Sequence, residues 1–564
     1  MCIVVFLHTK KMGQYVRWQA ILAFVGTVLL AVYLNSIVVV RTTVIAPAEG
    51  GVYREGVIGR AQYLNPLLAA YNPVDEDVAG LIFEGLTRDD GQGNLQPALA
   101  ENWSVSEDGR VYVFVLRRDV RWSDGAPFTA DDVVFTLRLI QSPDFPGNPA
   151  WQTLWQSVSI EPVDDYTLRF VLSEPFPSFP YYTTIGILPR HRLRDVPARD
   201  LLTHPFNLSP VGTGPFQLTE ATDRHLLLAR NPRYRGQPSR IERLEFRFFD
   251  NPEALYQAFE GGEIDAIGHA DPEALPRLQA NPNARFFSAP LPRYDVVYLN
   301  LQQPETLPFF QEADVRRALW MLTDRAALID EALNGQAIPA EGPFLPWSWA
   351  FNPGQPYPAY DPAAAAELLD GAGWLDTDGD GIRDRDGRPL RFTLRVSSNP
   401  AHIRVAHTLA QQWRKGGIDA IMKITTDPIA GLLQEHRFEA ALVEVELFGD
   451  PDPYRFWHQS QIEDGQNFGG WDNTPASQAL EEGRLALDRE ARIPPYYEFQ
   501  RIFAEELPAL TLYHPVYTYV VGSHVKGVRL ATIAAPADRF RSIPDWYLLT
   551  RRVIETTANR SFSP

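Results

Sequence analysis

The pattern of apolar and polar positions changes character once along the chain. Trp18 to Val40 is a run of 23 residues without a charge, bracketed by Arg17 and Arg41, and Asn35-Ser36 is the one adjacent polar pair inside it. At about 1.5 Å per residue such a helix crosses a hydrocarbon core of ~30 Å. Beyond it, segments of period two and of helical spacing take turns. Arg110–Arg117 (RVYVFVLR), Tyr166–Leu172, Leu244–Phe249, Val296–Leu301, Phe392–Val396, Glu439–Val445, Leu510–Tyr513 and Tyr517–Val521 read as strands. Asp75–Leu86, a helix opened by Thr129, Glu253–Glu260, Asp314–Ala332, Ala363–Leu369, His402–Lys415, Ser477–Asp488 and Pro495–Glu506 read as helices. Strands alternating with helices predict α/β architecture, and a chain of this length divides into more than one lobe. No internal repeat or low-complexity tract is present.

Charge orients the apolar run. Lys10, Lys11 and Arg17 precede it and only Arg41 follows closely. The positive-inside bias places residues 1–17 in the cytoplasm, 18–40 in the membrane and the large remainder outside, with 41–52 as a linker. No other stretch is long and apolar enough to span, which excludes a channel or transporter core. Ala46-Pro47-Ala48 is a small-x-small site of the kind a signal peptidase cuts, but the run exceeds the usual signal core, so an uncleaved anchor is the expectation. The chain has 52 Lys+Arg against 70 Asp+Glu, net −18; the first 41 residues hold four basic and no acidic groups, leaving 48 against 70, or −22, outside. That surface excludes a nucleic-acid partner. The single Cys2 lies ahead of the membrane segment, so the external part has no disulfide, no thiol nucleophile and no Cys-based metal site. No GxSxG or HExxH occurs, and no nucleophile with a base stands out.

Eight strings in order carry a resemblance. They are NPLLAAYNPVDEDVAGLIFEGLTRDD from Asn65 with its continuation ENWSVSEDGRVYVFVLRRDVRWSDG, GTGPF from Gly212, NPRY from Asn231, FEGGEIDA from Phe259, YLNL from Tyr298, DVRRALWMLTDRAALI from Asp314 and GDPDPYRFWHQSQ from Gly449. With these the chain resembles the family 5 extracytoplasmic solute-binding proteins (dipeptide, oligopeptide and nickel type) of ABC transporters. The resemblance implies a two-lobed periplasmic-binding-protein clamshell, type II-like, with an inserted subdomain at about 85–195. Lobe I would be 53–302 with 514–564 and lobe II 303–513, with the crossings at Tyr298–Leu301 and Leu512–His514. It further implies a peptide or similar solute held between the lobes, delivery to a permease and ATPase, no catalysis and no required cofactor. An enzyme or sensor on the same scaffold is the competing class, and an oligosaccharide, haem or nickel chelate the competing ligand.

In peptide-binding members an Asp just upstream of a Gly-Asp-Pro-like string grips the ligand's α-ammonium. Here that position is Leu447, in Glu444-Val445-Glu446-Leu447-Phe448-Gly449-Asp450-Pro451-Asp452. Glu446 or Asp450 would have to substitute, or Asp450 and Asp452 only cap the following helix. The ligand-site candidates are therefore Glu446 and Asp450, the rings Trp347, Trp349, Trp457 and Trp471, and the motif residues Asn65 and Asn300. Trp103 and Trp122 are expected to pack the inserted subdomain. A second signal, Asp376-Thr377-Asp378-Gly379-Asp380-Gly381-Ile382-Arg383-Asp384, places oxygen ligands as a calcium loop does, with Asp376, Asp378, Asp380 and Asp384 as candidates for a structural Ca²⁺. It lacks the closing Glu, since the twelfth position is Gly387; a metal-free acidic turn is the other reading.

Overall fold

Alternating apolar stretches become two packed halves joined by a shared strand. The computed structural model describes residues 18–19, 21–34, 43–90, 94–303, 305–425, 429–447, 449–463 and 465–554. Its main sheet has 12 strands. In the first half, Val52–Ile58 runs parallel to Arg243–Phe249, which continues antiparallel into His225–Arg230 and Phe216–Ala221. In the second half, Arg391–Ser397 lies parallel between Asp419–Thr425 and Ala440–Glu446. Ala509–Gly522 joins them: its first part pairs with Arg293–Leu299 and its second with Ala284–Pro290.

The chain thus passes between lobes at Pro290–Arg293 and at Tyr513–Val516. The first crossing lies upstream of the expected Tyr298–Leu301. The reason is pairing: Arg293–Leu299 is matched along its whole length with Ala440–Glu446 of the second lobe. Tyr294, Val296 and Tyr298 enter one core cluster of that lobe, Val297 and Leu299 another. Both faces are buried, which is why the segment reads as a continuous apolar run. The expected pair of strands Leu510–Tyr513 and Tyr517–Val521 is likewise one strand, buried throughout except at Pro515 and Val516, where it changes lobes.

Helix limits shift where side chains cap. The expected helix Asp314–Ala332 is two, Ala313–Met321 and Arg325–Leu333, because the Asp324 carboxylate accepts from Ala327 N at 2.9 Å and starts a new helix. Asn72 caps Pro73–Ile82, so that helix starts with a proline and ends before Leu86. Arg489–Glu506 begins ahead of the expected Pro495, capped by Asp488, with Pro494 and Pro495 inside it. Thr129 behaves as read, its amide donating to Asp132 Oδ2 at 3.0 Å at the head of Ala130–Gln141.

The region 85–195 carries its own four-stranded antiparallel sheet, in the order Ala100–Val105, Val111–Leu116, Thr167–Leu172, Val158–Asp164. Trp122 is fully buried, with Nε1 donating to Asp132, and Trp103 stacks on Phe114 at 5.9 Å. Gly212 needs no ligand to explain it: a Cβ there would meet the Ile82 carbonyl, so backbone packs directly on backbone.

At the N-terminus, residues 21–34 are helical and their large apolar side chains are exposed. No helix among the described residues is long and apolar enough to cross a membrane. Residues 1–17, 20 and 35–40 of the expected cytoplasmic and spanning segments lie outside those described. The expected linker 41–52 holds regular structure instead: Thr43–Ala48 pairs antiparallel with Leu549–Ile554 in a two-stranded ribbon.

Candidate functional site

A cavity lies where the two lobes and the inserted subdomain meet. Pro292 and Thr532–Ala534 come from the first lobe, Asp89 from the inserted subdomain, and Leu345, Trp347–Trp349, Leu447 and Gly449–Pro451 from the second. Its volume is ≈ 60 Å³, well below the roughly 300–1,000 Å³ of a ligand pocket. The lobes are therefore drawn together. Contacts across them agree: Arg404 Nη1 meets Glu273 at 2.6 Å, Asn334 Nδ2 donates to Pro272 O at 3.1 Å and Arg489 donates to Asn94 Oδ1 at 3.1 Å. Arg484 sits over the rings of Phe176 and Tyr454 at 5.3 and 4.4 Å. Gly449, at φ +65°, lies against Tyr181, so a Cβ there would stand 2.6 Å from the ring.

The named candidates separate into those on the cavity wall and those in the core. Trp347 lines the wall and meets the His514 ring edge-on at 5.4 Å. Trp349 lines it too, with the guanidiniums of Arg489 and Arg492 at 5.3 and 5.0 Å from its ring and Nε1 buried without an acceptor. Trp457 and Trp471 are buried in packing. Their Nε1 groups donate to Tyr294 Oη at 3.2 Å and Glu506 Oε2 at 2.9 Å, and both rings pack on Phe503. Asn300 is fully buried and donates to the carbonyls of His436 and Phe438 at 2.9 and 2.8 Å. Asn65 accepts from Leu67 N at 3.1 Å and ties its turn to Asn207. These four hold the fold.

Asp450 reaches the wall already paired: Arg492 Nη1 and Nη2 donate to its two oxygens at 2.7 and 2.6 Å. Both side chains are about 5% exposed. Burial opposes the Arg492 charge, and the Asp450 carboxylate more than offsets it, holding the guanidinium well above its usual range. Arg492 carries no motif signal; it lies 42 residues from its partner. Asp452 caps Tyr454 N at 3.0 Å. Burial pushes its carboxyl up to about 6, with the Asp450 charge adding to the rise and Arg484 opposing it. Glu446 is off the wall, 63% exposed and 3.4 Å from Arg293 Nη2. Facing it, Glu76 is pushed up to about 7, by burial first and then by the charges of Asp77, Glu446 and Asp538.

Residues 94–468 match the family described as bacterial extracellular solute-binding proteins, family 5, middle region. The chain belongs to this family. It is 27% identical over 516 residues to the oligopeptide-binding protein AppA of Bacillus subtilis (strain 168), covering 89% of this chain and 92% of that protein. The solved structure of Bacillus subtilis AppA in complex with a nonapeptide matches at TM-score 0.70 and 26% identity, covering 89% of this chain and all of that one. NikZ from Campylobacter jejuni in complex with Ni(L-His) matches at TM-score 0.71 and 26% identity, over 88% and 99% of the two chains. As a family 5 solute-binding protein the chain is the extracytoplasmic binding component of an ABC importer, not an enzyme.

The acidic loop sits in lobe II, outside the cleft. Ligand oxygens of Asp376, Asp378 and Asp384 lie within 4.8 Å of one another, and Asp380 stands outside the group. Asp376 accepts from Gly379 N and Gly381 N at 2.8 and 3.0 Å, and Asp384 accepts from Thr377 N and Oγ1. Gly387, where a calcium loop would close with Glu, turns a short hairpin at φ +72°.

Proposed function

We propose that this family 5 protein captures peptides between its lobes and presents them, closed, to an ABC permease and ATPase from the outer face of the membrane to which it stays tethered. The observation that carries the ligand reading is the interlobe cavity walled by Trp347 and Trp349, in a fold shared with a nonapeptide complex. Apolar walls with few polar groups suit side chains of varied shape. A nickel chelate fits less well, because no His lines the cavity among the described residues. Native mass spectrometry of the chain purified from its producing cells tests this. A retained peptide supports it, and a retained sugar, haem or metal chelate overturns it.

The tether rests on the uncharged run Trp18–Val40 with its preceding cations, and on the ribbon. Cleavage at Ala46-Pro47-Ala48 would strip Leu549–Ile554 of its partner strand. Intact mass of the membrane fraction after alkaline washing should show the full chain; a product beginning near Glu49 would remove the tether.

For the acidic loop, the proposal is a structural Ca²⁺ held by Asp376, Asp378 and Asp384, which would link the loop ends through three carboxylates. Calorimetry should show heat on adding Ca²⁺ and a higher melting temperature; silence in both would leave an acidic turn capped by its own amides.

A further inference from the structure

Among the described residues, the two carboxylates on the cleft wall, Asp89 and Asp450, already have partners within the protein. Asp450 is held at both oxygens by Arg492, whose Nε also donates to Gly483 O at 2.9 Å and whose Nη2 also meets Tyr496 Oη at 2.8 Å. The pair is buried and neutral. Drawing Asp450 away to receive a cation would strand a buried guanidinium. Asp89 already holds an interaction within the protein. Glu446 stands off the wall with Arg293, and the next position facing the cavity is the buried, apolar Leu447. One wall residue breaks this pattern of satisfied groups: the Trp349 N–H is buried with no acceptor. Buried donors are normally satisfied, so this one is open to an acceptor from outside the chain.

We propose that the cleft reads a neutral, apolar or aromatic portion of its ligand, with a hydrogen-bond acceptor such as a carbonyl on Trp349 Nε1, and makes no salt bridge to a ligand ammonium. This rests on the peptide reading above and narrows it: the ligand's charged ends lie outside the Trp349–Leu447 wall, so blocking the N-terminus does not weaken binding. Trp349 then sets specificity by its N–H as much as by its ring.

The test uses the full chain in detergent, stripped of retained solute. Apolar peptides of three to six residues are titrated by calorimetry as matched free-amine and N-acetylated pairs. The proposal expects affinities that agree within about threefold in each pair. It also expects no weakening of the free-amine form as pH rises through the α-amino pKa near ~8. A free-amine form bound at least ~10-fold tighter, the effect of a charge-assisted bond, overturns the proposal and leaves the peptide reading intact. Failure of both forms overturns the peptide reading and this proposal together. Trp349→Phe, which keeps the ring and removes the donor, should weaken both forms about tenfold. An unchanged affinity in that variant removes the role of Nε1. The matched pairs on the parent chain decide the ammonium question even if the variant fails to fold.

Discussion

Arg492 and Asp450 form a buried bidentate pair that is costly to break. Removing one partner of a buried bidentate pair strands the other charge, which costs roughly 3–5 kcal/mol. Arg492→Ala should lower stability by that order in urea unfolding, and a loss under about 1 kcal/mol would mean that water reaches Asp450. Glu76 offers a pH test with a definite sign. Its folded pKa, raised to about 7, exceeds the ordinary carboxylate value, so the folded state holds the proton more tightly. Stability from this group is full at low pH and is lost as pH rises from about 4.5 to about 7. Asp75 and Asp452, both raised to about 6, titrate in the same sense, so the comparison must be with the parent. Glu76→Gln should match the parent at pH 4 and exceed it at pH 8, by on the order of 2 kcal/mol. Equal curves at both pH values would refute the burial of this carboxyl. At this scale the sequence was only partly readable. Trp347 and Trp349 face the cleft while Trp457 and Trp471 face Phe503, and nothing in their spacing separates the two pairs. Asn65 and Asn300 each hydrogen-bond buried backbone groups, which their place in the strings does not reveal.

Elements were more legible than their limits. Period-two stretches such as Val111–Leu116 and helical spacings such as Ala130–Gln141 fold as read, because burial on one face leaves its period in the sequence. Limits moved where a cap or a pairing decides. Asp324 cuts one helix into two, and the partner strand Ala440–Glu446 moves the first lobe crossing to Pro290–Arg293. Pairing between strands distant in sequence leaves no local mark. The loop Leu447–Pro451 depends on Gly449, which holds a left-handed φ and presses against Tyr181. Gly449→Ala adds both backbone strain, about 1–2 kcal/mol, and a clash across the lobes. Ligand affinity should drop at least ~10-fold in calorimetry, with the open protein folded as judged by circular dichroism. Unaltered affinity would show that the inserted subdomain does not press on lobe II in the bound state.

At the scale of the whole molecule, two lobes are joined by two chain crossings and by no disulfide, since the only Cys lies at position 2. Motion is thereby confined to two strand crossings, where Pro515 supplies no backbone donor to resist bending. Binding energy has one outlet, closure, and the closed shape is what a permease can tell from the open one. The family match across residues 94–468 and the ordered strings agree because the strings are the parts that build this scaffold. The cleft is less legible, because its wall is assembled from residues as far apart as Asp89 and Ala534. Small-angle X-ray scattering on the ligand-stripped chain, before and after adding back the solute eluted from it, tests the central claim most directly. A smaller radius of gyration with solute, and recovery of that solute unaltered, are expected. An unchanged radius at saturating solute, or a solute returned as a cleaved product, would contradict it.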